Sequence, residues 1–377
     1  MPRSPATEHA AFPDSVVLPG LVNTHTHLEL TDLRGRVTET DFFAWIQHVR
    51  REKDSMNEET FVAAACRGLE EAWRHGITCV ADTGTSGASA VALSRLGGRG
   101  VVYQEAIAPR VEQASATIER LRADVERLRA LASSDVIIGV SPHAPYTVSR
   151  ELYRLVAAYA RTEDLPVAAH IAESPAEVEF VRFGRGPFAE SWRARGITLG
   201  APASSPVALL EDVGLLDTRL LAIHAVHTDG ADLERLRRAG VALACCPRSN
   251  ARHGHGEPPL ARYLEAGLRL GLGTDSVASV ADLNLLAEAG LARRLTGIAP
   301  EAALDLLTRG GAAALGLDNE IGTLTPGKAA DMCVVRVGPA ALDSNGAWAE
   351  AVLAVGAAGV VATYVAGRCV YRVEHST

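Results

Sequence analysis

The chain has 377 residues, 47% of them hydrophobic, enough to bury a large core and to exclude an intrinsically disordered protein. Its formal net charge is -8 with acidic and basic residues interspersed, so it lacks the concentrated basic stripe that nucleic acid would require. Neither a signal peptide nor a membrane span can be read from it, and a soluble cytoplasmic protein with no membrane partner is expected, its six cysteines (66, 79, 245, 246, 333 and 369) reduced.

Along the chain, short Val/Ile/Leu-rich runs alternate with longer segments of helical period, the pattern of parallel strands joined by helical crossovers. The runs are 16–25, 77–82, 101–107, 136–143, 166–173, 220–227, 241–247 and 268–275. A helix over 60–76, closed by Gly76, follows the first run; a charged one from Val111 to Ala132, with leucines every three or four residues, follows the third. Two helical stretches come after the eighth run, and from Ile321 onward Gly/Pro turns between β-branched residues suit a small appended sheet. Together these elements predict an α/β fold: a closed (β/α)8 TIM barrel over 19–318, with a small β-sandwich made from 1–18 and 319–377. An open doubly wound dinucleotide fold would lack its phosphate loop, because no GxGxxG follows the first strand.

The chemistry concentrates at the ends of these runs. In Asn23-Thr24-His25-Thr26-His27, alternation along a strand aims His25 and His27 to one side, where two neutral imidazoles form half of a metal site. His170 and Glu173 (HIAES) close the fifth run, His224 the sixth, and Asp275 (GTD) the eighth. A barrel brings such strand ends together at the face where its chemistry sits, so these side chains are expected to share one site as ligands or proton carriers. Separately satisfied polar residues near a rim are the plainer alternative for any one of them.

PGLVNTHTHLEL, HIAES, IHAVH, GTDSVAS and IGTLTPGKAADMCVV resemble, in order, the motifs of the amidohydrolase superfamily, in particular its branch of mononuclear metal-dependent deaminases and chlorohydrolases. The resemblance implies one divalent metal per chain, Zn2+ foremost with Fe2+ or Mn2+ as alternatives, held by His25, His27, His170 and Asp275. It implies that Glu173, His224 and Asp275 are catalytic: Glu173 protonates a ring nitrogen, His224 orients the water, and Asp275 takes the water's proton and returns it to the departing amine. The metal's charge would bring the pKa of its water from 15.7 toward about 7. A two-metal site bridged by a carboxylated lysine is disfavoured, since Lys53 and Lys328 are the only lysines and neither ends the fourth run. HTHLE, SPHAPYTVS, HIAESPAE and CPRSN look most like the aminofutalosine deaminase group, so the expected partner is a small aminated heterocycle of purine type, and the expected assembly is a homodimer. Guanine or S-adenosylhomocysteine deamination, chloride displacement and cyclic-amide hydrolysis use the same site; a retired, non-catalytic barrel is disfavoured by the complete set of six residues. Members of the branch usually open with several more strands, so the N-terminal half of the sandwich is expected to be reduced, whether through a misassigned start, a truncation or a naturally small sheet with edges needing cover.

On the substrate side, His143 and Tyr146 lie just beyond the fourth run, and in the resembling branch the matching histidine contacts substrate. Arg248 in CPRSN offers a guanidinium to a substrate oxygen or carboxylate, with a structural ion pair as the alternative. Glu177, four residues after Glu173, and Glu29, beside the metal-binding strand, are candidates for gripping hydroxyls or an amidine edge; each also suits a salt bridge. Trp45 is a candidate wall or lid over a flat ring, with core packing the plainer account. His253 and His255, in glycine-rich HGHG, are expected on a mobile loop rather than at a second metal.

Overall fold

A computed structural model describes residues 10–343 and 347–373. Eight parallel strands form one sheet in sequence order: β2 (Leu21–Thr26), β3 (Ile77–Gly84), β4 (Arg99–Ala106), β5 (Val136–Pro142), β6 (Pro166–Ile171), β7 (Arg219–His224), β8 (Ala242–Cys245) and β9 (Arg269–Leu272). Helices lie between the strands, and all eight predicted runs fall on this sheet. The first run divides. Val16 to Pro19 belong to β1 (Ser15–Pro19), which precedes the barrel, joins β2 through Gly20 and pairs antiparallel with β10 (Met332–Arg336). Gly20 is dictated by that crossing, because a Cβ there would stand 2.1 Å from Thr78 Oγ1.

With β11 (Val360–Val365) and β12 (Arg368–Arg372), β1 and β10 make a four-stranded antiparallel sheet in the order β1-β10-β11-β12. Among the described residues this is a single sheet rather than the two facing sheets of a sandwich, and residues 1–9 of the expected N-terminal segment lie outside the description. It rests on α2 (Glu58–Arg74), where Thr363 Oγ1 donates to the Trp73 carbonyl at 2.7 Å and Arg368 lies over the Trp73 ring. The helix begins at a reciprocal Asn57/Thr60 capping box, which satisfies two of its first N–H groups.

Inside the barrel, every second residue of a strand faces the axis. Val22, Cys79, Ala81, Val101, Tyr103, Ala168, Leu221, Ile223, Ala242 and Ala244 fill the interior, closed below by Ala312, Leu317 and Ile321. The last strand meets the first through side chain and backbone together. Asn23 Nδ2 donates to Thr274 Oγ1 (2.8 Å), Thr274 N–H donates back to Asn23 Oδ1 (3.0 Å), and Asp275 N–H donates to the His25 carbonyl (3.0 Å). Gly273 permits this approach, since a Cβ there would come within 2.7 Å of His25 N.

Candidate active site

Strand alternation alone does not aim the site. The β2–β3 register shifts between Asn23 and Thr26, just where His25 turns inward beyond the inward-facing Val22. Ile223 already faces the axis, so His224 would ordinarily point to the helices; its φ of 70° turns it back, and Asp275 has a φ of 59° for a similar purpose. Left-handed backbone at non-glycine residues costs of order 1–3 kcal/mol, and at His224 and Asp275 it falls on side chains that converge on one point.

His25, His27 and His170 present ring nitrogens that all lie within 4.8 Å of one another, with Asp275 Oδ1 3.5 Å from His25 Nε2 and 3.4 Å from His27 Nε2. Backbone carbonyls fix two of the tautomers: His27 Nδ1 meets Thr83 O at 2.8 Å and His170 Nδ1 meets His143 O at 3.1 Å, leaving both Nε2 lone pairs free toward the centre. Burial holds His25 and His170 below the usual imidazole range and therefore neutral, the form that ligates. Both nitrogens of His25 are buried without a hydrogen-bond partner, a costly condition in a protein interior that a coordinated cation would relieve. Three imidazoles and one carboxylate are the donor set of a mononuclear zinc-type site, and the chain's own geometry fits it.

Beside this centre two carboxyl groups are driven in opposite directions. Burial, reinforced by the negative fields of Asp275 and Glu177, lifts Glu173 well above the usual carboxylate range and so favours its protonated form. Burial also opposes ionisation of Asp275, but the close approach of His25 at 3.5 Å and the fields of the surrounding histidines outweigh it and hold that carboxyl well below its usual range. Asp275 is held further by Ser249 Oγ at 2.5 Å and by Ser276 N–H at 2.6 Å. Asn250 Nδ2 donates to His224 Nδ1 at 3.2 Å, which places the imidazole proton on Nε2, 3.6 Å from Glu173 Oε1. His224 is therefore a donor facing the reaction space rather than a ligand. The Asn250 contribution was not foreseen, although the asparagine sits at the seventh strand's end.

A cleft of about 480 Å3 opens over the centre and includes His27, His170, Glu173, His224 and Asp275 in its lining. His143, Tyr146 and Trp45 also face it, as expected. Tyr146 is stacked on Phe188 with ring centroids 4.0 Å apart; Trp45, on α1 (Phe42–Asp54), stacks on Phe42 and donates to the Ala278 carbonyl at 3.3 Å. Wall and packing roles thus coincide in both rings. His253 and His255 are not on a free loop: they are 8% and 3% exposed, clamped against Trp45 and Phe42, with His255 Nδ1 3.5 Å from Glu173 Oε1. Their glycine neighbours concealed an aromatic clamp supplied by a distant helix.

Three residues expected at the substrate serve the scaffold instead. Glu29 is 1% exposed and binds Lys53 Nζ at 2.6 Å along with Ser86; burial opposes its ionisation, yet the ammonium brings it down to about 2. Glu177 is fully buried and accepts from the N–H groups of Ala172 (2.7 Å) and Glu173 (2.9 Å), gripping the backbone that carries Glu173. Arg248 is turned away from the cleft into an ion pair with Asp282 at 2.8 Å, while its N–H donates to Glu288. Burial pushes Glu288 up to about 8 from 4.5. The unfolded chain then loses this proton first as pH rises, so stability is expected to fall between about pH 4.5 and about pH 8 and to level off above. Thermal unfolding of Glu288→Gln should show a flatter dependence across that window than the unaltered chain.

A closed parallel barrel with buried imidazoles and an aspartate gathered at the carboxyl ends of its strands is the architecture of a barrel hydrolase working through a divalent metal. The chain belongs to the amidohydrolase family, whose model matches residues 16–370. It is 31% identical over 369 residues to a 5-methylthioadenosine/S-adenosylhomocysteine deaminase of Desulforudis audaxviator, covering 95% of this chain and 81% of the relative. To an aminodeoxyfutalosine deaminase of Deinococcus radiodurans it is 33% identical, covering 80% and 74%. Among solved structures, an adenosine deaminase of Xanthomonas campestris with bound zinc superposes with a TM-score of 0.77 at 26% identity, covering 96% of this chain and 81% of the other. No helix among the described residues is long and apolar enough to cross a membrane.

Proposed function

We propose that the chain is an aminohydrolase that exchanges the exocyclic amine of a purine-like ring, of the aminofutalosine or adenosine type, for oxygen with release of ammonia. The observation that carries this reading is geometric: one cleft brings Glu173, which burial drives toward its protonated form, beside Asp275, which lies against the imidazoles of His25 and His27 and is favoured as the carboxylate. When bound by His25, His27, His170 and Asp275, a divalent ion acidifies water and so supplies a nucleophile at neutral pH. Glu173 gives its proton to the ring nitrogen next to the carbon under attack, which moves the ring's electron pair onto nitrogen as water adds. Asp275 accepts the water's proton and passes it to the amine, which leaves as ammonia; the added hydroxyl gives up its remaining proton as the ring carbonyl forms, and that proton restores Glu173. His224, with its proton on Nε2, fixes the attacking oxygen against the ring face.

Zinc is taken as the ion because the Xanthomonas relative holds it, and a homodimer is proposed because related barrels often form dimers. The test is metal analysis combined with an ammonia-release assay on aminopurine nucleosides, free aminopurines and a chlorotriazine. Ammonia from the nucleosides supports the reading, whereas chloride release alone would replace it with a chlorohydrolase.

A further inference from the structure

Two buried histidines behind the cleft have no task in the chemistry above. Neither His253 nor His255 lines the cleft, and both ring nitrogens of each are buried without a hydrogen-bond partner. Polar atoms in that state weaken a fold unless some step of the working cycle engages them. His253 is surrounded by rings, stacked on His255 with centroids 5.3 Å apart and set edge-on to Trp45. His255 also faces an oxygen: its Nδ1 is 3.5 Å from Glu173 Oε1, close but longer than a formed hydrogen bond. A helix end fixes it there. The short helix Pro247–Arg252 closes with His255 N–H donating to the Asn250 carbonyl at 2.9 Å and Gly254 N–H to the Ala251 carbonyl at 3.2 Å, Gly254 taking a φ of 65°. The same helix carries Ser249, which holds Asp275, and Asn250, which holds His224. One short helix and its cap thus reach all three groups assigned to the chemistry, and His255 is the member that reaches Glu173.

Giving its proton to the ring turns Glu173 into a carboxylate where charge is resisted. Burial is the main obstacle, the fields of Asp275 and Glu177 add to it, and Tyr146 counters it in part. His224 Nε2 lies 3.6 Å from the same oxygen, but its hydrogen serves the attacking oxygen. Burial and the neighbouring histidines bring His255 down to about 3, so its ring is neutral and carries one N–H. No fixed acceptor holds that hydrogen on Nε2. A negative charge on Oε1 therefore draws it to Nδ1, and the 3.5 Å separation closes into a charge-assisted bond as the proton leaves.

We propose that His255 is a positioning residue for the acid: its Nδ1–H receives the charge left on Glu173 Oε1 as the proton passes from Oε2 to the ring nitrogen, and so aims Oε2 at the ring. This rests on the aminohydrolase reading and adds to it a residue outside the cleft. The test is ammonia release from adenosine and 5′-methylthioadenosine by His255→Phe, His255→Leu and His255→Gln, with Kd for inosine, bound zinc and Tm measured on each. Phe and Leu should lower kcat about 10-fold to 100-fold, the worth of one hydrogen bond to a charged group, while KM and the inosine Kd stay within about twofold. Their Tm should hold or rise, because an apolar side chain replaces unpaired polar atoms. Gln keeps an N–H and should recover about fivefold or more of the lost kcat. A structural histidine gives a different pattern, and Tm falling together with kcat in Phe and Leu overturns the proposal. So does an unchanged kcat in both, a Gln variant no better than they are, or loss of bound zinc, which would assign His255 to the metal centre. In each of those cases ammonia release by the unaltered chain leaves the aminohydrolase reading standing. No ammonia from the unaltered, zinc-loaded chain overturns that reading and this inference with it.

Discussion

Asp275→Ala is expected to lower ammonia release by about four orders of magnitude or more while the barrel stays folded. The side chain is both a candidate ligand and the proposed carrier of the water's proton to the amine, so its loss removes two functions at once. Folding is expected to survive because the barrel's closing contact at this residue uses its backbone N–H, bonded to the His25 carbonyl at 3.0 Å, and not its carboxylate. Ser249 Oγ would lose its 2.5 Å acceptor, a cost of about 1–3 kcal/mol that thermal unfolding can read. Near-normal turnover in a variant that still binds its metal would remove Asp275 from the proton path. Glu173→Gln makes the contrast: it should keep the metal and bind the ring, yet lose about 100-fold to 10,000-fold in kcat, because the amide has no proton to give at neutral pH.

Removing the metal is expected to abolish turnover and lower Tm together. His25 stands on the first barrel strand and His27 just past its end, His170 on the fifth, and Asp275 just beyond the last, so an ion held by all four ties the ends of the sheet to its middle. Without it, buried imidazole nitrogens remain unpaired, and ligand linkage alone makes the loss about 3 kcal/mol or more at saturating metal. Calorimetry of chelated and zinc-restored protein checks both effects in one series. An unchanged Tm, with full ammonia release after exhaustive chelation, would contradict the assigned ligand set.

The barrel was legible because each of its strands is an apolar run of the right length between helical segments, and the candidate metal ligands were legible because they lie at the ends of those runs. Less accessible was the aim of the side chains: alternation explains His170 but not His224 or Asp275, whose positive φ depends on the finished fold. Partners brought from elsewhere decided the remainder. Glu29 and Arg248 look like substrate ligands until Lys53 and Asp282 arrive from other elements, and Glu177 until the N–H groups of Ala172 and Glu173 turn toward it. HGHG reads as flexible until Phe42 and Trp45 cover it.

The joint between Asn23 and Thr274 connects residues 251 positions apart, among the longest loops the chain must close. Loops of that span are costly in entropy and are secured late in folding. Because the same joint seats Asp275 against His25, catalytic competence arrives with the final closure and not before. A partly folded chain, however much of its helix and strand is already in place, has no working fraction of the site to offer.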